Sequence, residues 1–157
     1  MRAARWMIPI AMVAGLYSWG VLVNAQNPQS DEVIKNRIAD SRKIGRAFKH
    51  IRDELGAQNP SLALIRESAE QIESLGAQML SWFPPGTDKG KTHAKETVWT
   101  ERATFEQAQK KLYGEAQKMA QVAQSGDKEA LTSQYRALGK ACKNCHDNFR
   151  GRVEENP

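Results

Sequence analysis

The sequence predicts an all-α protein, an antiparallel four-helix bundle that follows an N-terminal signal peptide. Four stretches carry apolar residues at intervals of three and four, which is the spacing of a helix buried along one side. Short segments with Gly, Pro and polar residues separate these stretches, so neighbouring helices would run antiparallel. No stretch alternates apolar and polar residues as a half-buried strand does.

Length and charge limit the classes of protein to consider. The chain has 157 residues, 40% hydrophobic and 26% charged, which fits one compact domain and excludes a multidomain enzyme. Lys and Arg number 23 against 18 Asp and Glu, and loss of Arg2 and Arg5 with a signal peptide leaves 21 against 18, a charge of +3. This excess is too weak and dispersed for nucleic-acid binding. It favours an acidic redox partner.

Residues 1–25 have the pattern of a secretory signal peptide. A basic start precedes an uncharged apolar run over residues 6–23, and small residues precede a cleavage point after Ala25. Cleavage there leaves residues 26–157 as one periplasmic domain with no stable membrane insertion. The alternative is an uncleaved membrane anchor, because the apolar run is near the lower limit of about 17 to 25 residues for a spanning helix. Pro and Gly residues within the run weaken that alternative.

The first two helices have recognisable ends. The first is predicted from Ser30 to Leu55, with Ser30 as its N-cap and acidic residues in its first turn. The second is predicted from Pro60 to Phe83, with Asn59 as its cap and Pro60 at the first helical position, where proline is tolerated. The Pro-Pro-Gly segment at residues 84–86 ends it.

The second half of the chain supplies the other two helices. A polar loop over Thr87–Lys95 precedes a third helix from about Val98 to Gln124. Asp127 is predicted to cap the fourth helix, whose apolar face reaches Phe149.

The fourth helix contains the sequence CxxCH. Cys142 and Cys145 lie three positions apart, on one helix face, and His146 follows directly. This string is typical of covalent attachment of haem c, in which both thiols bond the porphyrin and the imidazole binds iron. A structural zinc site would need four ligands, and the remaining histidines, His50 and His93, are isolated in sequence. A thioredoxin-like site would follow a strand and begin a helix, which this motif does not.

Beyond the motif, the chain resembles the class II cytochromes c, the cytochrome c' family. The resemblance covers nearly all of the mature chain. It rests on Arg37 followed by Ile44-Gly45, the segment FPPGT at residues 83–87, Trp99, and CKNCHDNFR at residues 142–150.

The resemblance implies roles for individual residues. Cys142 and Cys145 match the cysteines that form thioether bonds to the haem, and His146 matches the proximal iron ligand. Arg37 matches an arginine beside the haem propionates, a role that suits the planar guanidinium. Arg150 matches a basic residue on the proximal side, expected on the helix face of His146 and one turn later.

The same resemblance makes the sixth iron position the functional question. Phe83 resembles an aromatic residue of the distal pocket, and its alternative role is that of a core residue. Where the family commonly has an apolar residue that blocks the iron, this chain has Ser41. Met79 and Met119 are the methionines of the mature chain, and their spacing favours packing over iron ligation. His50 lies more than two turns beyond Ser41 and is expected on the surface.

These expectations lead to two functions. The first is a periplasmic c-type cytochrome with one covalent haem, five-coordinate, that binds NO or CO and can transfer electrons. The second is a six-coordinate, low-spin electron carrier without a gas-binding role. We do not expect an enzyme, because no distal histidine or acid–base pair supports turnover. The expected partners are a small redox protein or a diatomic gas, and the resemblance implies a homodimer through the first two helices.

Overall fold

The computed structural model describes residues 28–151, so the predicted signal peptide at 1–25 lies outside the described residues. The regular elements are α1 (Pro28–Leu55), α2 (Leu62–Gln78), a 3-10 helix (Met79–Trp82), α3 (Thr97–Thr100), α4 (Arg102–Val122) and α5 (Lys128–Phe149). Among residues 28–151, β structure is confined to an isolated antiparallel bridge between Ala94 and Arg150. None of the described helices is long and apolar enough to cross a membrane.

The four long helices form an antiparallel bundle, as predicted. Short turns join α1 to α2 and α4 to α5. The most extensive packing is between α2 and α4, where Gln109 donates to the carbonyl of Gly76 and Gln117 donates to Glu73. Since residues later in α4 meet residues earlier in α2, these helices run antiparallel. It follows that α1 and α5, the first and last long helices, are antiparallel as well.

The second helix begins two residues later than predicted. Ser61 is its cap, not Asn59: the Ser61 hydroxyl accepts from the Leu64 N–H at 3.3 Å. The Ser61 N–H in turn donates to the Glu54 carboxylate at 2.8 Å, which fixes the turn from α1. Pro60 therefore precedes the helix, and the segment after Gln78 tightens into the 3-10 helix.

The predicted third helix is divided, whereas the fourth begins where expected. At Glu101 the backbone leaves the helical region, with φ −112° and ψ 45°, so α3 is a single turn that ends before α4. Asp127 caps α5, because its Oδ1 accepts from the N–H groups of Glu129 and Ala130 at 2.9 and 3.1 Å.

The buried apolar residues form two clusters. The main core lies between the four long helices and includes Met119, which is fully buried. A smaller cluster lies beside the end of α5; its buried members are Ala94, Val98, Phe105 and Phe149. Met79 is half-buried and packs against both clusters. The two methionines thus occupy packing positions.

Candidate haem site

The two cysteines lie near the C-terminal end of α5, half-buried and as free thiols. Cys142 packs against the main core, and Cys145 packs against the smaller cluster. Burial raises the pKa of both thiols, that of Cys145 to about 11, so both are protonated at neutral pH. In the folded chain these sulfur atoms are therefore poor nucleophiles.

His146 follows on the same part of α5 and is exposed. Its pKa lies below the ordinary value, mainly because nearby protein atoms reduce its hydration; the charge of Arg150 acts in the same direction and that of Asp147 opposes it. A neutral imidazole is the form that binds a metal. Arg150 itself lies past the end of α5 with extended backbone, not on the helix face as predicted, and its N–H donates to the His146 carbonyl at 3.0 Å.

The end of α5 is capped by the segment at residues 93–97. A helix leaves its last four carbonyl groups without partners, and here each of them has one. The Arg150 N–H donates to the His146 carbonyl at 3.0 Å, and Lys95 Nζ donates to the Asp147 carbonyl at 3.1 Å. Thr97 Oγ1 donates to the Asn148 carbonyl at 2.9 Å, and the Lys95 N–H donates to the Phe149 carbonyl at 2.9 Å. Sequence reasoning missed this cap, because three of the four donors belong to Lys95 and Thr97, more than 50 positions away from their acceptors on α5.

Arg37 on α1 is buried, with 3% of its surface exposed, and its guanidinium is enclosed by hydrogen-bond acceptors and aromatic rings. It donates to the hydroxyl and the carbonyl of Thr87 at 3.0 and 2.8 Å, and to the hydroxyl of Thr92 at 2.6 Å. Its guanidinium carbon also lies 4.9 Å from the ring centre of Phe83 and 5.5 Å from that of Trp99. Neither threonine was a predicted site residue.

These partners leave the charge of Arg37 without a bonded carboxylate. In residues 28–151, no acidic side chain lies within 4.0 Å of its guanidinium. Burial lowers its pKa to about 10, against an opposing effect of the Asp88 charge, so it stays protonated at neutral pH. A buried cation with only neutral partners is well suited to receive an anionic group such as a carboxylate.

Phe83 belongs to a chain of aromatic contacts that ends at α5. Its ring is half-buried and meets the rings of Trp99 and Phe105 edge-on, with centroids 6.0 and 5.1 Å apart. Phe105 in turn meets Phe149 at 5.2 Å. Because Cys145 packs on this same cluster, the aromatic surface extends from Arg37 to the CxxCH motif.

Ser41 is placed by the register of α1 against α5. Phe48 stacks on Tyr135 with ring centroids 4.5 Å apart, and its ring lies 3.2 Å from where a Cβ of Gly139 would be. Ser41 lies as many residues before Phe48 as His146 lies after Gly139, and the two helices are antiparallel. Ser41 is therefore level with the turn that carries His146, on the opposite helix.

The side chains brought together fit a haem c. They are two thiols on one helix face with an imidazole beside them, an apolar aromatic wall, and a buried guanidinium that lacks an anion. Of the predicted site residues, Arg37 and Phe83 lie in contact with each other, and Cys142, Cys145, His146 and Arg150 lie together at the end of α5.

Comparison with known proteins gives a consistent result. The family model described as Cytochrome C' matches residues 32–150. The cytochrome c' of Rhodospirillum rubrum is 34% identical over 101 residues, which are 64% of this chain and 66% of that protein.

Two solved structures show the same architecture. A cytochrome c' with an unusual ligand-controlled dimer dissociation has a TM-score of 0.74 at 26% identity, over 78% of this chain and 97% of the other. The nitric oxide complex of a cytochrome c' mutant from Alcaligenes xylosoxidans has a TM-score of 0.70 at 27% identity, over the same shares. From its sequence match, its fold and the chemistry of this site, the chain belongs to the cytochrome c' family of haem-binding cytochromes.

Proposed function

We propose that this protein is an exported c-type cytochrome that binds NO or CO at an open iron and can also transfer electrons. One haem c is held through Cys142 and Cys145, with His146 as the proximal ligand. The observation that carries this proposal is the pairing of that motif on α5 with the buried, carboxylate-free Arg37 at the same end of the bundle. When bound, such a haem supplies an iron that coordinates diatomic gases and exchanges one electron.

Each nearby side chain then has a defined task. Arg37, fixed by Thr87 and Thr92, neutralises the haem propionates. Phe83 provides an apolar wall, since its ring already covers Arg37. Arg150 places a positive charge beside His146, which favours the neutral, metal-binding imidazole.

The open sixth position is supported by what α1 lacks. Its sequence from Pro28 to Leu55 contains no methionine. Met119 is fully buried in the main core on α4, and Met79 packs against both clusters, so neither thioether lies on α1. His50 is an exposed residue farther along α1. A related cytochrome c' has been solved as a nitric oxide complex, which supports gas binding as the function.

Export and assembly complete the proposal. The basic and apolar pattern of residues 1–25 supports cleavage after Ala25, with residues 26–157 released into the periplasm. We propose a homodimer as well, since a structurally similar cytochrome c' has a dimer that dissociates under ligand control.

The test is the optical spectrum of the exported, reduced protein with and without CO. We expect a broad high-spin spectrum that sharpens when CO is added. A sharp low-spin spectrum that does not respond to CO would contradict the open site and favour the six-coordinate electron carrier. In that case Met79→Leu and Met119→Leu variants identify the sixth ligand, because only the ligating one changes the spectrum. A colourless exported protein would contradict the haem assignment itself.

A further inference from the structure

Ser41 is an exposed residue on a face of α1 that is largely buried. At 3.6 residues per turn, Ile34, Arg37, Ser41, Ile44 and Phe48 fall on one stripe of the helix. Ile34, Arg37 and Ile44 are 3, 3 and 8% exposed, and Phe48 is half-buried under Tyr135. Ser41 lies in the middle of this stripe and is exposed. It also has the shortest side chain of the five.

The space in front of Ser41 is the space between α1 and α5. The two helices meet over a short stretch, where Phe48 contacts Tyr135 and Gly139, and they pack far less on each other than each packs on its other neighbour. One turn from Ser41, a Cβ added to Gly45 would find no atom within 4 Å. This wall of α1 is thus lined by one hydroxyl and a bare backbone, level with the turn that carries His146.

The Ser41 hydroxyl is available to a ligand. In the described residues, the Ser41 side chain forms no hydrogen bond to another group, so its O–H is free to donate to a ligand. A free O–H donor favours ligands that accept hydrogen bonds, and most strongly those that carry negative charge.

We infer that Ser41 is a specificity-determining residue: its hydroxyl would donate a hydrogen bond to a small ligand bound in the space between α1 and α5, and would thereby favour small anions. This rests on the proposed open iron and names the ligand class that it takes. Azide and fluoride are suitable probes for the ferric protein, because both are small anionic hydrogen-bond acceptors. CO is the matched probe for the ferrous protein, since it accepts hydrogen bonds weakly.

The experiment compares Ser41→Ala with Ser41→Thr in the haem-loaded protein. Azide and fluoride affinities are measured by optical titration, and the charge-transfer band of the fluoride adduct reports hydrogen bonding to the bound ion independently of affinity. We expect Ser41→Ala to weaken azide and fluoride binding roughly ten-fold and to shift this band, because a charge-assisted hydrogen bond is lost. Ser41→Thr keeps the hydroxyl and should remain near the unmodified protein. Ser74→Ala, at an exposed position of α2, is the matched control and should change nothing.

The outcomes separate this inference from the proposed function. If Ser41→Ala binds both anions as tightly as the unmodified protein and leaves the fluoride band in place, the role of Ser41 is wrong. Equal losses in Ser41→Ala and Ser41→Thr would also overturn it, because the hydroxyl would then be irrelevant. If the ferrous protein does not bind CO, the proposed gas binding is wrong. The role of Ser41 is then still decided by the anion titrations of the ferric protein.

Discussion

The Nη2 atom of Arg37 lies 2.6 Å from the Oγ1 atom of Thr92, so α1 is fastened to the loop that precedes α3. Thr92 is 1% exposed, and its hydroxyl oxygen also accepts from the Ala94 N–H at 3.1 Å. Ala94 begins the bridge that reaches Arg150 beyond α5. One hydroxyl oxygen therefore connects the guanidinium on the first helix with the segment that caps the last helix.

Replacing Thr92 by valine should lower the stability of the bundle. The substitution keeps the shape of the side chain but removes the buried hydroxyl oxygen that accepts from both Arg37 and Ala94. We expect a loss of about 1–3 kcal/mol in the free energy of unfolding, measured by urea denaturation. Thr100→Val is the control, because Thr100 is exposed and makes only a 3.3 Å bond to Glu96. Equal losses in the two variants would contradict the role given to Thr92.

Glu115 should make the stability of the protein depend on acid pH. This carboxylate is buried at the contact of α4 with α5 and accepts from Lys111, Gln134 and Lys118 at 2.8, 2.7 and 3.3 Å. Chiefly the bond from Lys111, then that from Gln134, lowers its pKa from 4.5 to about 2, although burial acts in the opposite direction.

Because this pKa is lower in the folded state, the ionised carboxylate stabilises the fold above pH 4.5, and that contribution is lost as the pH falls toward about 2. Urea denaturation across this range should show a steeper decline for the unmodified protein than for Glu115→Gln. Two parallel curves would mean that the ion pairs at Glu115 do not contribute.

Gly126 should resist substitution, whereas Gly114 should not. Gly126 has φ +70° in the turn before α5, and an added Cβ would lie 3.2 Å from Leu62 Cδ1. Gly126→Ala is expected to cost about 1–2 kcal/mol, mainly from the left-handed backbone. Gly114 lies within α4 with no atom within 4 Å of a Cβ, so Gly114→Ala should gain up to about 1 kcal/mol from helix propensity. Thermal unfolding of both variants checks the opposite signs.

Single cysteine variants should keep the haem by one bond, and the double variant should not. Cys142→Ala and Cys145→Ala each leave one thiol for a thioether, so both proteins should stain for haem after denaturing electrophoresis. Cys142→Ala combined with Cys145→Ala should lose the stain. Pyridine haemochrome spectra distinguish one bond from two, and a stained double variant would show that the attachment sites lie elsewhere.

The fold was predictable where the signals are local. Apolar periodicity indicated the four long helices, and Asp127 was identified as a cap because its partners, Glu129 and Ala130, follow directly. The cap of α2 was missed, since Asn59 and Ser61 are both good cap residues and a contact with Glu54 on another helix decides between them. The break at Glu101 was not predicted, because no Gly or Pro lies next to it in the sequence.

The site, too, was predictable only where its residues are close together in sequence. CxxCH is a contiguous motif, so it is visible in one sequence. Thr87 and Thr92 lie 50 and 55 positions from Arg37, and in sequence they read as ordinary loop threonines. Only the fold shows that they satisfy a buried cation.

The position of the CxxCH motif has a consequence for the order of assembly. Arg37 and Ser41 lie on the first helix, whereas Cys142 and His146 lie on the last. The two walls of the site therefore meet only after these helices, which are far apart in sequence, have come together. Such closure is entropically costly and tends to be late in folding. Burial raises the pKa of both thiols, so the folded bundle holds less of the reactive thiolate than an open chain would. We therefore expect the thioether bonds to form on the newly exported, still open chain, and the bundle to close afterwards around a haem that it already carries.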